Sequence, residues 1–140
     1  MINIRNSIFE TNSSSVHSLV LKKHKYPKVN KIVIRPMQTD DMVITDIEDK
    51  VSYLASFIIF NANIYGDLTE LEDNYSWNRF KDEVKEILGC DIEFCEGYNP
   101  DAIEINHQLQ DCRDLWDLES ELGPLETVLD EATQIVVDHD

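Results

Sequence analysis

The sequence predicts an α+β fold, a small antiparallel or mixed sheet packed by two to three helices, and three observations carry that expectation. Lys31-Ile32-Val33-Ile34-Arg35 and Gln134-Ile135-Val136-Val137 are short, apolar and β-branched, as strands are. Apolar residues recur at helical spacing from Ile47 to Ile59 and from Trp77 to Leu88. The chain has 140 residues, of which 42% are hydrophobic, enough for a domain that buries roughly two-thirds of its unfolded surface. With no repeat, low-complexity tract or linker, residues 1–140 read as a single domain.

The elements follow in order. Ile2-Asn3-Ile4 and Ser7-Ile8-Phe9 alternate weakly and suggest a short strand or extended arm. The polar run Glu10 to Ser15 breaks the pattern and reads as a loop or turn, or as a loop leading into a helical turn. Val16 to Leu21 alternates as a strand, Lys22 to Asn30 is a basic turn, and Lys31 to Arg35 is the clearest strand, closed by Pro36. Thr45 and Glu48 stand in capping-box spacing ahead of a helix that runs through about Asn61, with Ile47, Val51, Leu54, Ala55, Ile58 and Ile59 on one face. Ser76 opens a second helix with Trp77, Phe80, Val84, Ile87 and Leu88 inward, and Gly89 ends it. Cys90 to Cys95 and Ala102 to His107 alternate around Gly97-Tyr98-Asn99-Pro100 and form a candidate hairpin. Asp111 to Glu121 is a short acidic helix with Leu115, Trp116 and Leu118 as core positions. Pro124 suits the start of a last helix, and Gln134 to Val137 is a closing strand.

Charge divides the chain. The net charge is −16, yet Met1 to Pro36 holds seven Lys/Arg against one acid, +6, and the remainder holds five against 27 acids, −22. The acidic part repels free nucleic acid and attracts a basic protein groove, including one built to hold nucleic acid; the basic part can meet a phosphate. The bland alternative is that the two parts neutralise each other within one fold. Cys90, Cys95 and Cys112 have no C-x-x-C spacing and argue against a disulfide framework or cysteine zinc site. The N-terminus lacks the apolar core of a signal peptide, and the stretch from Leu54 to Phe60 is too short to span a membrane. The expectation is a soluble, intracellular protein with no membrane partner.

One stretch carries chemistry. Glu10, Thr11, Asn12, Ser13, Ser14, Ser15, His17 and Ser18 follow Arg5 and precede Lys22-Lys23. Serine hydroxyls and loop N–H groups can cradle an anion, and Thr11 to Ser15 with Ser18, Lys22 and Lys23 are the candidate substrate-binding residues. His17 can move a proton near neutral pH, Glu10 can be its complementary base or fix its tautomer, and Arg5 can clamp a phosphate. Those three are the candidate catalytic residues of a metal-independent ribonuclease acting through the 2′-hydroxyl, a reaction that asks for neither metal nor cofactor. A solvated loop explains the same composition. No G-x-S-x-G turn supports a serine hydrolase. Asp40, Asp41, Asp46, Glu48 and Asp49 match no EF-hand spacing and read as a solvated loop and helix start. The acidic faces of the second and third helices read as solvated surface or as a partner surface.

The pattern Arg5-x-Ser7-x-Phe9-Glu10-Thr11-Asn12-Ser13-Ser14-Ser15-x-His17-Ser18 resembles the N-terminus of small proteins of bacteriophages and mobile elements, chiefly in Firmicutes. It also looks like the N-terminal region of some anti-CRISPR proteins against type II systems, certain of which truncate the guide RNA. The resemblance stops at Leu21 and carries over neither fold nor partner for the rest. It implies an inhibitor of a host nucleic-acid-based defence. Its partner would be a CRISPR effector or a similar basic nucleic-acid-binding protein, and guide RNA would be a candidate substrate. The alternative is a non-catalytic acidic module that blocks a nucleic-acid-binding groove of a host protein.

Overall fold

Ten consecutive residues of one helix, Lys50 to Ile59, are buried on every side. The computed structural model describes residues 2–6, 24–38, 42–64, 66–104 and 114–137. Its strands are β1 (Ile2–Asn6), β2 (Ile32–Ile34), β3 (Met42–Ile44), β4 (Ile92–Phe94) and β5 (Thr133–Val137). Its α-helices are α1 (Ile47–Asn61), α2 (Tyr75–Leu88), α3 (Leu115–Leu122) and α4 (Leu125–Val128), and short 3-10 turns occupy Leu68–Asp73 and Pro100–Ala102. The class is α+β, with the strands divided over two sheets.

The helix with this buried run is α1. The six apolar positions read from its spacing are all buried, and so are Tyr53, Phe57 and the polar Lys50, Ser52 and Ser56. A helix apolar almost all round belongs in the middle of a fold. Asp46, rather than Thr45, caps it: the Asp46 carboxylate accepts the N–H groups of Glu48 (3.1 Å) and Asp49 (3.3 Å). Glu48 is diverted from the capping box because its carboxylate accepts the Val33 N–H at 3.2 Å.

That bond belongs to a series. Glu48, Ser52 and Ser56 lie four residues apart on α1 and accept the N–H groups of Val33 (3.2 Å), Arg35 (3.2 Å) and Met37 (3.0 Å). Four helical residues rise about 6 Å and two strand residues about 6.6 Å, so the two periods nearly match. On its other side β2 pairs in parallel with β4, in the register Ile32–Ile92, Val33–Glu93 and Ile34–Phe94. Residues 32–34 are thus held by a strand on one flank, and the backbone from 33 to 37 by helix side chains on the other.

The parallel pairing overturns the expected hairpin. Asn99 accepts the Asp101 N–H at 3.0 Å and starts the 3-10 turn with Pro100 in its first position. This is a helix-start signal that outweighs the alternation around it. Glu104 then forms a parallel bridge with Gln38 instead of turning back on β4.

In the second sheet β5 is central, with β1 and β3 antiparallel on either side. Ile2 pairs with Val137 and Asn6 with Thr133, and Met42 pairs with Val137 on the other flank. The closing strand expected at Gln134 to Val137 is therefore this sheet's centre, while β3 had no counterpart in the sequence reading. Helix α2 begins one residue before Ser76, under an Asn74 cap that accepts the Trp77 N–H at 2.9 Å. It ends at Gly89, whose φ of 74° is the left-handed conformation that favours glycine. Trp77, Phe80 and Val84 are buried as expected. Trp116 is not: α3 buries Leu115, Leu118 and Leu122, which leaves the indole of Trp116 69% exposed. The strand expected over Val16 to Leu21 lies outside the described residues. Cys90 is buried and Cys95 half-buried, both as free thiols. Among the described residues no helix is long and apolar enough to cross a membrane.

Candidate functional site

Of the residues expected to form the N-terminal site, only Arg5 falls within the described structure, where its backbone pairs with Gln134. Glu10, Thr11, Asn12, Ser13, Ser14, Ser15, His17, Ser18, Lys22 and Lys23 lie outside the described residues. The two ends of that interval are described, and they meet at one turn. Asn6 pairs with Thr133. His24, at the other end, places Nδ1 3.0 Å from the Asp130 carboxylate.

The turn from Asp130 to Thr133 is a dense polar node. The Asp130 carboxylate, 5% exposed, accepts the N–H groups of Lys25 (3.2 Å) and Ala132 (2.8 Å) besides its contact with His24. The Glu131 N–H donates to the Lys25 carbonyl at 2.8 Å. Burial alone would raise the Asp130 carboxyl; its bonds from Ala132, His24 and Lys25 hold it below the usual range. Beneath the turn, Lys50 is wholly buried and donates its ammonium to the Asp130 carbonyl at 2.9 Å. Burial pulls Lys50 down to about 8, with Asp130 and Asp46 opposing in part. A buried lysine of this kind is a structural post or a reactive amine. Here full burial and a direct bond to main-chain oxygen fit the post.

The second concentration of polar groups is a groove of about 410 Å³ between α2, α3 and α4. Glu83 and Glu86 of α2, Glu119 of α3 and Glu126 of α4 line it, over a floor that includes Ile87, Pro124 and Leu125. Tyr26 closes one side and donates its hydroxyl to the Glu126 carbonyl at 2.7 Å. Burial, together with Glu126 and Asp130, raises the Tyr26 hydroxyl. A smaller hollow lined by Arg79, Trp116 and Ser120 shares Glu119 and Pro124 with the groove. Arg79 donates to Glu119 at 2.8 Å and to Glu83 at 3.2 Å. Burial and the neighbouring Glu83 raise the Glu119 carboxyl in spite of Arg79. The groove thus gathers four carboxylates, of which Glu83 and Glu119 bind the neighbouring Arg79 guanidinium.

Among the described residues no group of three or more His, Cys, Asp or Glu side chains is placed to hold a metal ion. Asp46 is a helix cap and Asp49 an ion-pair partner of Arg35. The sequence reading missed His24, Lys50 and Asp130. A signal existed for Lys50, a lysine set among Ile47, Val51 and Leu54 on an apolar face. Trp116 was misplaced, although the spacing of Leu115, Leu118 and Leu122 puts it off the buried stripe.

No known protein family, curated protein or solved structure matches the chain.

Proposed function

We propose that the protein is an acidic binding module that docks onto a basic, nucleic-acid-binding groove of a host defence protein and excludes the nucleic acid. The observation that carries this reading is the groove of Glu83, Glu86, Glu119 and Glu126, where glutamates from three helices line one hollow and two of them share the guanidinium of neighbouring Arg79. Further acids, Asp82 of α2 and Glu70, Glu72 and Asp73 of the preceding turn, are exposed. Such a surface repels phosphate and attracts the lysines and arginines that bind it. The N-terminal resemblance supplies the setting: a phage or mobile-element inhibitor in the host cytoplasm, with a type II CRISPR effector as the target.

The test is displacement of labelled target DNA from the effector–guide complex. Added protein is expected to release the DNA, with a potency that falls steeply as salt rises. Charge reversal at exposed Glu70, Glu72 and Asp82 should weaken it. Asp114 is unsuited to reversal, because it caps α3 through the Asp117 N–H. DNA binding untouched by excess protein defeats the reading.

A second reading, contact with or cleavage of RNA by the polar run, is favoured by the meeting of Asn6 and His24 at the Asp130 turn. That closure gives the interval holding Glu10 and His17 a fixed root. Guide RNA shortened by the wild type and left intact by Glu10→Ala and His17→Ala would decide for it; guide RNA intact with all three decides against it.

A further inference from the structure

We infer that the groove between α2, α3 and α4 recognises arginine side chains, and that its occupant is an arginine-bearing segment of the partner protein. One guanidinium would lie on the Trp116 indole beside Glu119, and the next against Glu86 and Glu126. The inference rests on the docking reading and names the chemistry of the contact.

Two of the groove's carboxylates already bind such a group, from a side chain that lines the adjoining hollow. The Arg79 guanidinium is bound at once by Glu119 of α3 and Glu83 of its own helix. Glu86 and Glu126 are exposed, and among the described residues no cation lies within ion-pair reach of either. The carboxylates therefore outnumber their internal partner. Burial first, and then the neighbouring Glu83 and Glu126, raise the Glu119 carboxyl against the pull of Arg79, and an arriving cation would favour its charged form.

Trp116 adds information independent of charge. Its neighbours Leu115 and Leu118 pack inward, whereas Trp116 is exposed and lines the adjoining hollow with Ser120, Glu119 and Pro124, the last two shared with the groove. An indole face attracts a cation and prefers a planar one. Ile87 and Leu125 offer an apolar floor for the methylene stem behind a guanidinium. Planarity, weak hydration and two-point bonding to carboxylates all favour arginine over lysine.

The experiment uses the full chain and two fluorescein-labelled peptides of equal length, oligo-arginine and oligo-lysine, followed by anisotropy at about 0.1 M salt. Oligo-arginine should bind about tenfold tighter than oligo-lysine. Trp116→Ala should remove most of that preference. The pair Glu86→Gln and Glu126→Gln should weaken oligo-arginine binding about tenfold. All three residues are exposed, and unchanged circular dichroism will show that the variants fold. Equal binding of both peptides, or a preference unchanged in Trp116→Ala, overturns the inference. If DNA displacement from the effector persists alongside such a result, the docking reading stands and only the arginine cleft falls. If the preference appears but displacement does not, the cleft stands and the docking reading falls.

Discussion

The ammonium of Lys50 donates to the backbone carbonyl of Asp130 at 2.9 Å, joining the N-terminal end of the central helix to a turn 80 residues later in the chain. The same Asp130 receives His24 and Lys25 through its side chain. One residue therefore ties together the core helix, the mouth of the central strand and the segment that re-enters at His24.

The charge on Lys50 costs stability at neutral pH. Its folded value of about 8 lies below the usual 10.5, so between these values the unfolded chain binds more protons and the group's contribution to stability rises with pH. Lys50→Met has no group that titrates there, so the wild type should gain on it by up to about 1.4 kcal/mol per pH unit above 8. Urea unfolding of both proteins at neutral and alkaline pH measures it. Tyr26, Tyr98 and Cys90, whose raised values act in the opposite sense, are common to both proteins and cancel. A difference independent of pH would refute the assignment.

Asp130→Ala should destabilise the fold by about 3–5 kcal/mol, because it strands two main-chain N–H groups and removes the carboxylate that partly offsets the Lys50 charge. The Asp130 carboxyl is held low, so the stability it supplies is present above the ordinary aspartate value of 3.8 and is lost as pH falls through its folded value. The variant should therefore lose less stability than the wild type on acidification through that range.

The two serines of α1 should differ. Ser56→Ala leaves the N–H of Met37 unpaired at a residue only 4% exposed, at a cost of about 1–3 kcal/mol. Ser52→Ala strands the N–H of exposed Arg35, which water can reach, and should cost less than about 1 kcal/mol. Equal losses in denaturant titrations would contradict this account of the β2 flank.

The two tryptophans should separate more widely. Trp77 is buried against Phe80 and stacked on Phe94, and Trp77→Ala should cost about 3–5 kcal/mol. Trp116→Ala should stay within about 0.5 kcal/mol of the wild type. Fluorescence should agree: an added quencher such as acrylamide reaches Trp116 first.

These contrasts mark where the sequence could be read and where it could not. Helix α2 was legible because its periodicity, its start near Ser76 and its Gly89 stop are all local. Strand β3 was not, since three residues are too few to show a period and its partner β5 lies about ninety residues further on. The hairpin failed for the same reason: β4 chose β2, a non-local parallel partner, after Asn99 and Pro100 had already turned the chain. The polar run announced itself by composition alone. The acidic groove could not, because Glu83, Glu119 and Glu126 look like ordinary solvated faces until three helices bring them together.

The row of acceptors on α1 has a consequence for how this protein behaves among others. A short strand with free N–H groups along one flank invites a foreign chain to extend it. Here half-buried Glu48 and buried Ser52 and Ser56 occupy those donors from the adjoining helix. The segment is thereby insulated against templating, and its protection comes from the helix packed beside it.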